Sequence, residues 1–182
     1  MRYMSDDVAQ LIREIYVEKK TDLFVQGCQR KLSFVDDMIR RIGEITDKVD
    51  WWTRENEPAE EIHISVNTKT VGNMQIKYES ILFICKIAKY YYLQHEFSID
   101  NPDDERVAPK LDGFSDEAYN KRQFRLNDII VQFMAKQGYE RLSYSDVEEE
   151  FFPEPIPLKE CDREKYLTVF QALFMDYTEI ND

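Results

Sequence analysis

Glycine, histidine and cysteine are all scarce in this 182-residue chain, and each scarcity removes a class of chemistry. The five glycines, Gly27, Gly43, Gly72, Gly113 and Gly138, are isolated, so there is no phosphate-cradling loop and no G-x-S-x-G elbow for a nucleophilic serine. Three cysteines, Cys28, Cys85 and Cys161, are widely separated and odd in number. They form neither a full disulfide framework nor a CxxC zinc or redox pair, which suits a reducing cytoplasm. Long apolar runs are missing too: the longest, Ile81 to Cys85, is far short of a bilayer and is followed by Lys86 and Lys89. Asp6 and Asp7 stand where a signal peptide needs apolar residues, and the Arg-rich, acid-poor bias of a transit peptide is absent. The chain is therefore expected to be cytoplasmic and not integral to a membrane.

Positive charge is also in short supply, with 24 Lys and Arg against 36 Asp and Glu and a net charge of −12. The deficit is uneven. Residues 1–91 carry 14 bases and 15 acids, leaving 10 against 21 in residues 92–182. An acidic half of this kind repels phosphate backbones, whose binding proteins need clustered Lys and Arg, and it attracts cationic partners. Nucleic acid is excluded as the expected ligand, and a basic protein is favoured.

What is abundant is apolar surface. Hydrophobic residues make up 43% and aromatic ones 13%, enough to offset the chain entropy of folding, and the length fits a single domain over 1–182. Ser5 before Asp6 and Asp7 predicts a helix cap, with Val8, Leu11, Ile12, Ile15 and Tyr16 recurring at helical spacing. A longer periodic run through Leu32, Val35, Ile39, Ile42, Ile45, Val49 and Trp52 predicts a second helix reaching back toward Asp22, with Gly27 and Gly43 as its weak points. Ile62, Ile64 and Val66, then Met74, Ile76 and Tyr78, alternate with polar residues on either side of Gly72-Asn73 and predict a hairpin. The β-branched and aromatic stretch from Ile81 to Ile99 reads as further strand.

Residues 100–113 carry loop chemistry, and Ser115 with Asp116 and Glu117 predicts the start of a helix through Leu126, Ile129, Ile130, Phe133 and Met134 that stops near Gly138. From Asp146 to Glu160 a charge run and PEPIP predict extended backbone. A last helix is expected after a cap at Asp162, burying Tyr166, Val169, Phe170, Leu173 and Phe174. Connections between strands look too short for helical crossovers. Together these elements predict an α+β fold with a mainly antiparallel central sheet flanked by N-terminal and C-terminal helices.

No residue pattern points to a cofactor, a metal or a catalytic set. His63 falls on the outer face of a strand with no second ligand nearby, and His95-Glu96 lacks the H-x-E and P-C-x-x-C elements of a zinc deaminase. A Cys85–His95 or Cys28–His95 nucleophilic pair has no local support for thiol activation. Asp100, Asp103, Asp104 and Glu105 do not follow the order of an EF-hand.

The segment that stands out is Asp146, Glu148, Glu149, Glu150, Phe151, Phe152 and Glu154, two phenylalanines set within an acidic run. Between Asp146 and Glu164 there are eight acids and two bases. Rings bordered by carboxylates are what a protein-binding surface needs, area to bury and charge to steer a basic partner. The reading that fits best is an acidic protein-binding module, of the immunity-protein or antitoxin type, that blocks the positive cleft of a nuclease-like toxin. The alternatives are a hydrolase using dispersed carboxylates with His95, and an accessory subunit of a larger assembly.

Overall fold

A computed structural model describes residues 5–51, 54–100, 105, 110–157, 164–178 and 180. The first helix, α1 (Asp6–Ile12), is capped as its sequence predicts. The Ser5 hydroxyl accepts the Val8 N–H at 3.4 Å, and Asp6 and Asp7 lie at the positive end of the helix. The periodic run that follows is not one helix. It divides into α2 (Thr21–Cys28) and α3 (Val35–Gly43), and Val49 belongs to an edge strand, β1 (Lys48–Trp51), while Trp52 lies outside the described residues. Backbone pairing decides this, because a four-residue strand too short to show its alternation is identified by its ladder and not by its pattern. Gly27 does not break α2 but lies within it, where the missing side chain lets the helix meet Ile87.

The hairpin is as expected. β2 (Ala59–Val71) and β3 (Met74–Cys85) pair antiparallel across Gly72-Asn73, with Gly72 at φ +61°, the left-handed position that a tight two-residue loop needs. The stretch from Ile81 to Ile99 is strand on both sides of a turn at residues 86–89, continuing as β4 (Tyr90–Asp100). Lys110–Ser115, expected as loop and helix start, instead forms β5, antiparallel to β4. Its neighbours at 101–104 and 106–109 lie outside the described residues.

Ser115 therefore ends a strand. The cap of α4 (Lys121–Lys136) is Asn120, whose side chain accepts from the Arg122 and Gln123 N–H groups. The helix stops at Gly138 as predicted: Gly138 takes φ +73°, its N–H reaches the Ala135 carbonyl, and the Tyr139 N–H reaches that of Met134. A short strand, β6 (Glu140–Leu142), then pairs parallel to the start of β4, so α4 does lie in a crossover connection. The strand order is β1-β2-β3-β4-β5, with β6 also on β4, in a mainly antiparallel sheet between N-terminal and C-terminal helices.

Strand alternation sends Ile62, Ile64, Leu82, Ile84 and Leu93 to one face, where they are buried with Val35, Met38 and Ile42 of α3 and Leu126, Ile130, Phe133 and Met134 of α4. The opposite face is covered at one end only. There Ala59, Cys85 and Tyr92 pack with Val8 and Ile12 of α1 and with Val169, Ala172 and Leu173 of α5 (Val169–Phe174). Thr168 caps α5 in a reciprocal box with Gln171, Tyr166 is 53% exposed ahead of the helix, and Asp162 lies outside the described residues. The acidic segment is not extended throughout. Ser145–Glu149 makes one π-helical turn, and among the described residues of the segment only Ile156–Pro157, β7, is strand, paired with β8 (Glu164–Lys165).

Candidate functional site

The uncovered part of the sheet carries a cluster of ionisable groups. Counting by alternation from the buried residues, the open face bears Glu61, His63 and Ser65 of β2, Glu79 and Ile81 of β3, and Gln94 and Glu96 of β4. Asp50 of β1 pairs with His63, and Glu79 lies directly opposite Glu96. Asp50, His63, Ser65, Glu79, Ile81 and Glu96 line a shallow trough of about 220 Å³. Two of the carboxylates are compensated: Lys48 holds Asp50 at 2.7 Å, and Arg54 and His63 hold Glu61 at 2.9 and 2.7 Å. Glu79 and Glu96 pair with no cation among the described residues; Glu96 accepts from the Gln94 amide at 2.6 Å.

The acidic segment joins this face at its covered end. The Tyr92 hydroxyl donates to Gln94 at 3.4 Å, and burial, with the charges of Asp116 and Glu148, pushes the Tyr92 phenol up. Glu148, its own carboxyl raised by burial, therefore stands near Tyr92.

The structure separates the residues that the sequence grouped. Asp146 serves its own turn, accepting from the Ser143 N–H at 2.8 Å and hydroxyl at 2.6 Å. Glu149 is exposed, and Phe151 is 55% exposed beside Thr168. Phe152 is wholly buried and Glu150 is 8% exposed, so neither offers a docking surface. Glu154 is neutralised by Arg13 at 2.5 Å. The aromatic ring that borders the open face is Phe114, opposite Glu96 in the register, 56% exposed and 5.8 Å from the Tyr144 ring. Sequence reasoning missed Glu61, Glu79 and Phe114, and weighed Glu96 only beside His95, which alternation puts on the other face. Their alternation with apolar neighbours is visible in the chain, but which of them stand side by side depends on a register that no local signal states.

The structure separates His95 from the cysteines that the sequence offered as its partners. His95 is fully buried against α4, its Nδ1 2.8 Å from the Ser80 hydroxyl, on the face opposite to Cys85. Burial, with the nearby charge of Arg141, lowers its pKa to about 4. Burial pushes the Cys85 thiol up to about 12, and its sulfur is engaged with the Leu173 carbonyl and Ala88 N–H, so it is no ready nucleophile. Among the described residues no group of His, Cys, Asp and Glu is placed to hold a metal ion, with Asp103 and Asp104 outside them. No described helix is long and apolar enough to cross a membrane. A second cleft of about 360 Å³, between Glu44, Asp47, Arg122 and Arg125, has mixed charge and an Arg122–Asp47 pair at 3.3 Å.

His95 carries a pH prediction. Its pKa in the folded protein lies below the ordinary histidine value, so the unfolded chain binds the extra proton between pH 6.5 and 4. Stability from this group is present above pH 6.5 and is lost as pH falls toward 4. Between pH 7 and pH 5 the loss is about 2 kcal/mol. His95→Asn keeps an acceptor near the Ser80 hydroxyl but cannot titrate. In urea titrations at both pH values, its stability should fall less than the wild type's, and equal losses would show that His95 does not carry the effect.

No protein-family model matches the chain, and no significant match is found among curated proteins or solved structures.

Proposed function

We propose that this chain is a stoichiometric binding protein whose acidic sheet face docks a cationic protein. The observation that carries the reading is the continuity from Tyr92 through Gln94 and Glu96 to Glu79. It puts carboxylates from both halves of the chain on a part of the sheet that no described helix covers. Such a surface repels nucleic acid and speeds the encounter with a positively charged cleft. A partner whose cleft ordinarily binds phosphate, as in a nuclease-like toxin, is the type it would block, in the manner of an immunity protein or antitoxin. A reducing cytoplasm is the fitting compartment, since Cys28 and Cys85 are buried thiols.

The test is association with a basic partner copurified from native cells. The double variant Glu79→Lys, Glu96→Lys, on the exposed side of the sheet, should fold normally and lower the association rate about tenfold or more, with less effect at high salt. A rate unmoved by both charge reversal and salt would end the proposal.

A further inference from the structure

Beside the acidic face the sheet ends in a strand that is open to pairing. β5 ladders onto β4 along its inner edge, from Asp100 opposite Lys110 to His95 opposite Ser115, and among the described residues no strand lies on its outer edge. Alternate N–H and C=O groups of β5 therefore point outward, a template for another extended chain. Natural edges are usually blunted by charge or covered, yet this one displays Leu111 at 48% and Phe114 at 56% exposure, one toward each face. At its centre Gly113 presents no side chain, and none would fit, because a Cβ there would stand 2.7 Å from the Phe97 ring. β1, the opposite edge, differs: its large apolar residues, Val49 and Trp51, are half-buried.

The geometry points to β5 as the place where an extended, basic segment of the partner adds as a further strand, seating one apolar side chain against Phe114 and Tyr144. Charge complementarity selects the occupant. Asp112 and Glu117 are exposed on and just after β5, Glu96 lies across from Phe114, and Lys110 is the one base within the strand. A second copy of this chain carries a net charge of −12 as a whole and would approach Asp112, Glu117 and Glu96 against like charge, so a cationic segment is the complementary partner. The inference rests on the docking role of the acidic face and adds to it the mode of recognition.

Two synthetic probes test it: an eight-residue peptide alternating lysine with valine, and the same peptide N-methylated at alternate amides, which keeps the charge but blocks one ladder edge. The plain peptide should bind about tenfold more tightly than the methylated one and slow amide exchange at alternate residues of 110–115 by about fivefold or more. Phe114→Ser, at an exposed position, should weaken that binding several-fold without loss of folded circular dichroism. If both peptides bind alike, in a salt-sensitive way and with exchange in β5 unchanged, strand addition is wrong while the acidic face survives. Binding by neither peptide removes both readings. A dimer of the peptide-free protein with β5 already protected would overturn the inference in favour of self-pairing.

Discussion

Replacing Gly27 with alanine should destabilise the protein by about 3 kcal/mol, although the same change in an exposed helix interior would stabilise it by about 1 kcal/mol. The opposite sign follows from packing. A Cβ built on Gly27 falls 2.3 Å from Ile87 Cγ2 and 2.9 Å from Ile87 Cα, so both the side chain and the backbone of the β3–β4 turn would have to move. That turn is not free to shift: the Lys86 N–H donates to the Pro58 carbonyl at 2.7 Å, and the Lys86 ammonium, almost fully buried, donates to the Arg54 carbonyl at 3.0 Å. In urea unfolding the midpoint should fall, and Ile87→Ala added to the variant should restore only part of the loss, because the new methyl group still collides with the backbone of residue 87. A midpoint raised by the single change would mean that α2 does not lie against the turn.

Phe152→Ala should cost about 4 kcal/mol of stability, whereas Phe151→Ala should change stability by less than about 0.5 kcal/mol. The two rings are adjacent in sequence and opposite in environment. Phe152 is wholly buried with Val147, Ile156 and Leu167, Arg13 lies 5.9 Å from its ring, and its N–H donates to the Leu167 carbonyl at 2.8 Å. Phe151 points outward from the same short bridge. Thermal and urea denaturation measure both variants directly. A stable Phe152→Ala protein together with a weakened Phe151→Ala protein would reverse the assignment of the inner and outer ring.

Where the chain's own signals are local, the sequence reading and the structure agree. The Ser5 cap, the Gly72-Asn73 hairpin and the stop at Gly138 each depend on residues within a few positions of one another. Two of the errors share one cause. Val49 fits a helical spacing and yet pairs with Ile64; Ser115 has acids after it, as a helix start should, and yet pairs with His95. In both cases hydrogen bonds to a distant strand outweigh a local preference of a few tenths of a kcal/mol to about 1 kcal/mol. The candidate site was less legible still, since the acidic run Glu148–Glu150 is conspicuous in one dimension but sends Glu149 outward and leaves Glu150 nearly buried.

Composition and periodicity alone settle that this is an acidic chain of mixed helix and antiparallel strand, because charge is additive and secondary structure repeats over 2 or about 3.6 residues. Only the folded sheet decides that Glu79 stands beside Glu96, that Glu148 approaches Tyr92, and that Phe114 rather than Phe152 borders the open face. The physical reason is register: shifting a strand by one residue would exchange its two faces, so the identity of the exposed set belongs to the pairing of strands and not to any one of them.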